Sequence, residues 1–123
     1  MSTSHAVRFG RTAPGIVVTD LATALDFYCG VLGMTKTFEN GDPVGFVIVE
    51  RDAAELHLSL DPSHRPSTIN VAHLIVDDAT TLHDHLVAAG VRIVKGVRDH
   101  DFGLRAFVLA DPFGNRIDVG EPI

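Results

Sequence analysis

Five polar side chains of this 123-residue chain fall where strand alternation puts them on one surface: His57, Ser59, His73, Arg116 and Asp118. Successive residues of a strand point to opposite faces. In the run Ala54–Leu60, Leu56, Leu58 and Leu60 oppose Glu55, His57 and Ser59. Around His73, Ala72, Leu74 and Val76 oppose Val71, His73 and Ile75, and near the C-terminus Ile117 and Val119 oppose Arg116 and Asp118. An early run sorts into Pro14, Ile16 and Val18 against Ala13, Gly15 and Val17. One set in each run is wholly apolar and belongs beneath helices, so the other sets line the opposite face. An imidazole there changes charge near neutral pH and can bind a metal, and a guanidinium forks onto carboxylates or phosphates. Ala13, Val17, Val71 and Ile75 would floor the same face with hydrocarbon. An apolar pocket with sparse polar groups suits an organic molecule. Phe38, Phe46 and Phe102 are candidates to stack on a planar ligand, with at least one of them expected in the core.

Other chemistries find little support. There is no glycine-rich phosphate loop and no serine in a nucleophile-elbow pattern. The single cysteine, Cys29, falls in a predicted helix and reads as a partly buried inert thiol. His83, His85, His100, Asp84 and Asp101 read as solvated groups. The charged segment Arg98–Gly103, with Phe102 inside it, is either an ordinary loop or a flap over the polar face.

The elements that must position these residues come from an internal repeat. Val17-Val18-Thr19-Asp20-Leu21-Ala22-Thr23 is matched by Ile75-Val76-Asp77-Asp78-Ala79-Thr80-Thr81. In both copies an extended run meets an aspartate, a helical pattern follows, and a glycine ends it. Asp20 and Asp78 suit N-caps, and Gly33 and Gly90 suit the left-handed position after a helix. The first helix is expected over about 21–32, with Ala24, Leu25, Tyr28 and Leu32 on its apolar stripe, and the second over about 79–89. Three strand-like runs follow each helix: Met34–Glu39, Val44–Glu50 and Ala54–Leu60, then Val91–Val97, Leu104–Ala110 and Arg116–Val119. Asn40-Gly41 and Asp111-Pro112-Phe113-Gly114-Asn115 supply turns. The expected fold is α+β: two tandem βαβββ modules forming a curved mixed sheet with a cleft, helices on its outer face. Residues 1–123 are read as a single domain, with module one over about 12–60, a linker over about 61–69 and module two over about 70–120.

Composition narrows the partners. Hydrophobic residues make up 46% and charged residues 21%, enough for a real core. The net charge of −6 repels phosphate backbones, so no nucleic acid is expected, and it favours a cationic ligand. One cysteine permits no intrachain disulfide and fits a reducing compartment. Met1–Gly10 lacks the apolar run of a signal peptide and no segment is long enough to span a bilayer, so a cytoplasmic protein without a membrane partner is expected.

Order and spacing carry a resemblance. Asp20-Leu21, Phe27-Tyr28 and Val31-Leu32-Gly33, with Asp111-Pro112-Phe113-Gly114-Asn115 before the last strand, resemble the vicinal-oxygen-chelate (VOC) superfamily of glyoxalases, bleomycin-resistance proteins and extradiol dioxygenases. The resemblance spans about 13–122. Glu55-Leu56-His57-Leu58, Phe102–Phe107 and Val119-Gly120-Glu121-Pro122 look most like its bleomycin-resistance branch. It implies a homodimer whose chains complete each other's clefts, and a small organic ligand, cationic or aromatic, sequestered as in antibiotic resistance. VOC enzymes hold a divalent metal with side chains from the first and fourth strands of each half. Ala13 and Val71 stand at two of those positions and offer no donor; His57 and Asp118 stand at the other two. No cofactor is therefore expected. The alternative is a metal-dependent glyoxalase- or dioxygenase-like enzyme with His57, His73 and Asp118 as a displaced two-histidine, one-carboxylate ligand set. Hydrogen-bonded cleft histidines are preferred to it, and no catalytic residue is assigned.

Overall fold

The computed structural model describes residues 6–123; the expectation for Met1–His5 lies outside the described residues. The chain repeats one plan twice. Strand β1 (Gly15–Val18) leads through helix α1 (Leu21–Leu25) and its π-helical continuation (Asp26–Val31) into β2 (Thr35–Gly41), β3 (Val44–Arg51) and β4 (Ala54–Leu60). Strand β5 (Asn70–Ile75) leads through α2 (Ala79–Ala88) into β6 (Arg92–Asp99), β7 (Leu104–Ala110) and β8 (Arg116–Pro122). Each module builds its own four-stranded sheet, in the orders β1-β4-β3-β2 and β5-β8-β7-β6. In both, the first strand runs parallel to the last and the remaining pairs are antiparallel. This is the α+β architecture that the repeat implies.

The helix caps act as their residue types dictate. The Asp20 carboxylate accepts from the Thr23 amide at 3.1 Å, and Asp78 accepts from the Thr81 amide at 3.0 Å. Each threonine hydroxyl donates to the same aspartate. These donors hold both carboxyls below the usual carboxylate range. Gly33 (φ +69°) and Gly90 (φ +79°) take the left-handed conformation expected after the helices.

Two local details differ from expectation. The first helix widens after Leu25: the Leu32 amide donates to the Phe27 carbonyl five residues back, at 2.9 Å. The wider turn lets Phe27 join Ala24, Tyr28 and Leu32 in the core. The first hairpin turns at Asp42-Pro43, two residues beyond Asn40-Gly41, because Asn40 still pairs with Phe46 and Gly41 with Val44.

The predicted faces hold except at Leu60, placed with the buried set but 36% exposed at the end of β4. Ile16, Val18, Leu58, Ala72, Ile117 and Val119 are buried in one hydrophobic cluster fed by both modules and by Tyr28, Leu86 and Phe107. Ser59 and His73, from the opposite sets, are exposed. The modules are also stitched by polar contacts. Tyr28 donates to Asp111 Oδ2 at 2.8 Å, Asn115 Nδ2 donates to the Val17 carbonyl at 2.8 Å, and His85 Nε2 lies 3.0 Å from the Val31 carbonyl. Burial, then the Asp111 charge, pushes the Tyr28 phenol far above its ordinary range.

Candidate functional site

The site is built on the sheet faces turned away from the core cluster. On the first sheet, β3 and β4 pair Phe46 with Ser59, Ile48 with His57 and Glu50 with Glu55, and β2 sets Phe38 beside Ile48. Paired residues share a face. The result is a row: Phe38 and Phe46 meet edge to face at 6.1 Å, and Phe46 meets the His57 ring at 5.5 Å and 87°. His57 Nε2 lies 2.6 Å from Glu55 Oε2. Arg11, from the segment before β1, donates to the other Glu55 oxygen and stands 3.8 Å from Glu50. Arg11, then His57, holds the Glu55 carboxyl below its usual range. Phe38 is 50% exposed, so the aromatic row is open to a ligand.

On the second sheet, β5 and β8 pair His73 with Asp118, and their side chains meet with Nδ1 2.9 Å from Oδ2. Nε2 is then the nitrogen left for a ligand. Arg116, half-buried, lies two residues before Asp118 on the same side of β8. Phe102 sits in the hairpin between β6 and β7, 68% exposed, stacked on His100 at 4.7 Å. It does not join the Phe38–Phe46–His57 row.

The predicted residues thus form two groups on different sheets: Phe38, Phe46, His57 and Ser59 on one, His73, Arg116 and Asp118 on the other. Among the described residues no three His, Cys, Asp or Glu side chains gather as a metal would need. The set His57, His73 and Asp118 is therefore not assembled within one chain: His57 faces Glu55, and His73 faces Asp118. Within one chain these donors are divided between two sheets, and no chemistry is routed through a metal.

Sequence reasoning passed over Glu55 as a site residue, although alternation placed it beside His57. Arg11 gave no signal, because it precedes the repeat and meets Glu55 across 44 positions. His83, expected in solvent, is half-buried with its ring 5.3 Å from Phe107. A cavity of about 930 Å³ also opens between the modules, lined by Met34, Ala54, Leu56, Leu74, Leu82 and Ile117.

Paired βαβββ modules, each with a polar open face backed by a shared core, define the α+β class of this protein. The chain belongs to the Glyoxalase/Bleomycin resistance protein/Dioxygenase superfamily, which residues 5–119 match. It is similar to an uncharacterized protein of Mycobacterium bovis, 27% identical over 125 residues that cover 90% of this chain and 82% of the relative. Its fold is shared by a bleomycin resistance determinant encoded on the transposon Tn5 (TM-score 0.79, 20% identity, 93% of this chain and 98% of that one). It is also shared by TnmS3, an antibiotic binding protein from Streptomyces sp. CB03234 (TM-score 0.73, 24% identity, 95% and 100%). Among the described residues no helix is long and apolar enough to cross a membrane.

Proposed function

We propose that this protein binds and sequesters a small aromatic, cationic organic molecule of the bleomycin type, without catalysis and without a resident metal. The observation that carries the reading is the open row Phe38–Phe46–His57–Glu55. It offers ring faces and edges for a planar group and a carboxylate for a cation. The working form is a cytoplasmic homodimer. Each open face is one wall only, and β1 and β5 are edge strands with no neighbour on one side. A second copy brings the first sheet of one chain against the second sheet of the other and completes two clefts.

Two measurements test this. Light scattering at tens of micromolar, an ordinary range for dimer affinity, is expected to give twice the chain mass; a monomer contradicts the arrangement. Calorimetric titration with zinc, nickel, manganese and iron(II) is expected to show no site tighter than about a micromolar, roughly 8 kcal/mol. A tighter site lost in both His57→Ala and Asp118→Ala would sink the binder reading and favour the enzyme.

A further inference from the structure

The two open faces carry opposite charge. The first sheet presents Glu50 and Glu55 directly opposite each other on β3 and β4, with Arg11 reaching in from outside the sheet. On the second, β6 pairs Lys95 with Val108 and Arg98 with Ala106, while β8 sets Asp118 beside Val108 and Gly120 beside Ala106. Lys95, Arg98, Arg116, Asp118 and His73 therefore share one face. Among the described residues, Lys95, Arg98 and Arg116 make no ion pair with any carboxylate; Arg11, Lys36, Arg51 and Arg105 do, while the other unpaired cations are Arg8, Arg65 and Arg92. A chain of net charge −6 has carboxylates to spare, yet leaves these three cations unpaired on one sheet face, with Arg92 as a fourth across Ala110 from Arg116.

The floor between those cations is small. Ala106 and Val108 are each only 6% exposed, and Gly120 is buried, yet none of the three belongs to the core cluster. They form apolar ground beneath a cationic rim, with the Leu104 and Ile75 side chains packed over Gly120 at one end. The His73 ring, held by Asp118 through Nδ1, offers a further donor when Nε2 carries the proton.

We infer that the open face of the second sheet is an anion-binding wall, and that the cleft's ligand carries a carboxylate or phosphate-class group as well as its aromatic, cationic part. The inference rests on the small-molecule reading above and narrows it: a ligand charged only positively uses the first sheet and leaves this wall idle. Lys95, Arg98 and Arg116 take the anion by charge-assisted hydrogen bonds, and the planar guanidinium of Arg116 offers the bidentate fork.

The test is a titration of amide-labelled dimer, followed by NMR, with phenyl phosphate and separately with benzylamine. Phenyl phosphate is expected to give saturable shifts at Lys95, Ala106, Val108 and Asp118. Its affinity should fall about tenfold in Lys95→Gln/Arg98→Gln, the loss of charge-assisted contacts at roughly 1.4 kcal/mol per tenfold. Both replaced side chains are exposed, so folding is not at stake. Arg8→Gln/Arg65→Gln changes net charge equally and is expected to leave that affinity within twofold. No saturable shift on the second sheet, or equal weakening in both double variants, overturns the anion wall. Benzylamine binding at Phe46 and His57 without any phenyl phosphate response overturns it while leaving the proposed function standing. Phenyl phosphate binding without benzylamine binding supports the wall and counts against the aromatic-cation reading instead.

Discussion

Replacing Tyr28 by phenylalanine removes one oxygen from the joint between the modules and nothing else. Tyr28 is fully buried and its hydroxyl donates to Asp111 Oδ2 at 2.8 Å. Asp111, itself 5% exposed, keeps three other donors: Asn115 Nδ2 at 2.9 Å, the Asn115 amide at 2.8 Å and the Phe113 amide at 2.9 Å. A hydrogen bond to a charged partner contributes about 1.5–3 kcal/mol. Because the remaining donors still serve the carboxylate, Tyr28→Phe is expected at the low end, about 1.5–2 kcal/mol. Asp111→Ala strands all four donors, two of them on nearly or fully buried side chains, and is expected to cost about 3–5 kcal/mol. Urea unfolding at one fixed protein concentration measures both, since the stability of the proposed dimer would depend on concentration. At a slope of about 1–3 kcal/mol/M, Tyr28→Phe should lower the midpoint by roughly 0.5–2 M with the slope unchanged. A loss below about 0.5 kcal/mol, the range of surface substitutions, or an Asp111→Ala variant no worse than Tyr28→Phe, would refute the view that this network joins the modules.

The remaining predictions are shorter. Asp20, Asp78 and Glu55 have carboxyls held below their ordinary values, so their stabilisation is present above about pH 4, the unfolded range, and is lost as pH falls through the folded values. Stability followed by circular dichroism should drop across that window, and Asp20→Asn/Asp78→Asn should flatten the drop; an unchanged acid limb contradicts the cap assignment. Gly33→Ala combines a positive φ with an added Cβ 3.1 Å from Arg51 Nη1, and should cost about 1 kcal/mol or more in the same urea assay. Arg11→Ala frees Glu55 from its strongest partner, so benzylamine should bind severalfold tighter than to the parent protein; weaker binding would show that Arg11 helps to hold the ligand.

How far the chain could be read in advance follows from the range of each interaction. The repeat, both caps and both helix-ending glycines are local, and each was legible from residue type and spacing. Face assignment needed only alternation, so Leu58 fell into the core and His57 outside it without knowledge of the topology. The π-helical turn was not legible, because Ala24, Leu25, Tyr28 and Leu32 fit an ordinary helical stripe equally well. Long-range partners were hidden for a different reason. Nothing local ties Arg11 to Glu55, or Tyr28 to Asp111 across 83 positions. The charge difference between the two faces required the β6–β7 register, whose shifts between Ile93 and Lys95 and between Lys95 and Arg98 break simple alternation.

The central claim is that the open face of the first sheet holds an aromatic organic cation. The most direct measurement is an amide NMR titration of the protein with metal-free bleomycin, read residue by residue. The account predicts saturable shifts at Phe38, Phe46, His57 and Ser59, one ligand per chain, with the affinity lost in Phe46→Ala. Shifts confined to the inter-module cavity around Met34, Leu56 and Leu82, or no saturable shift at all, would contradict it.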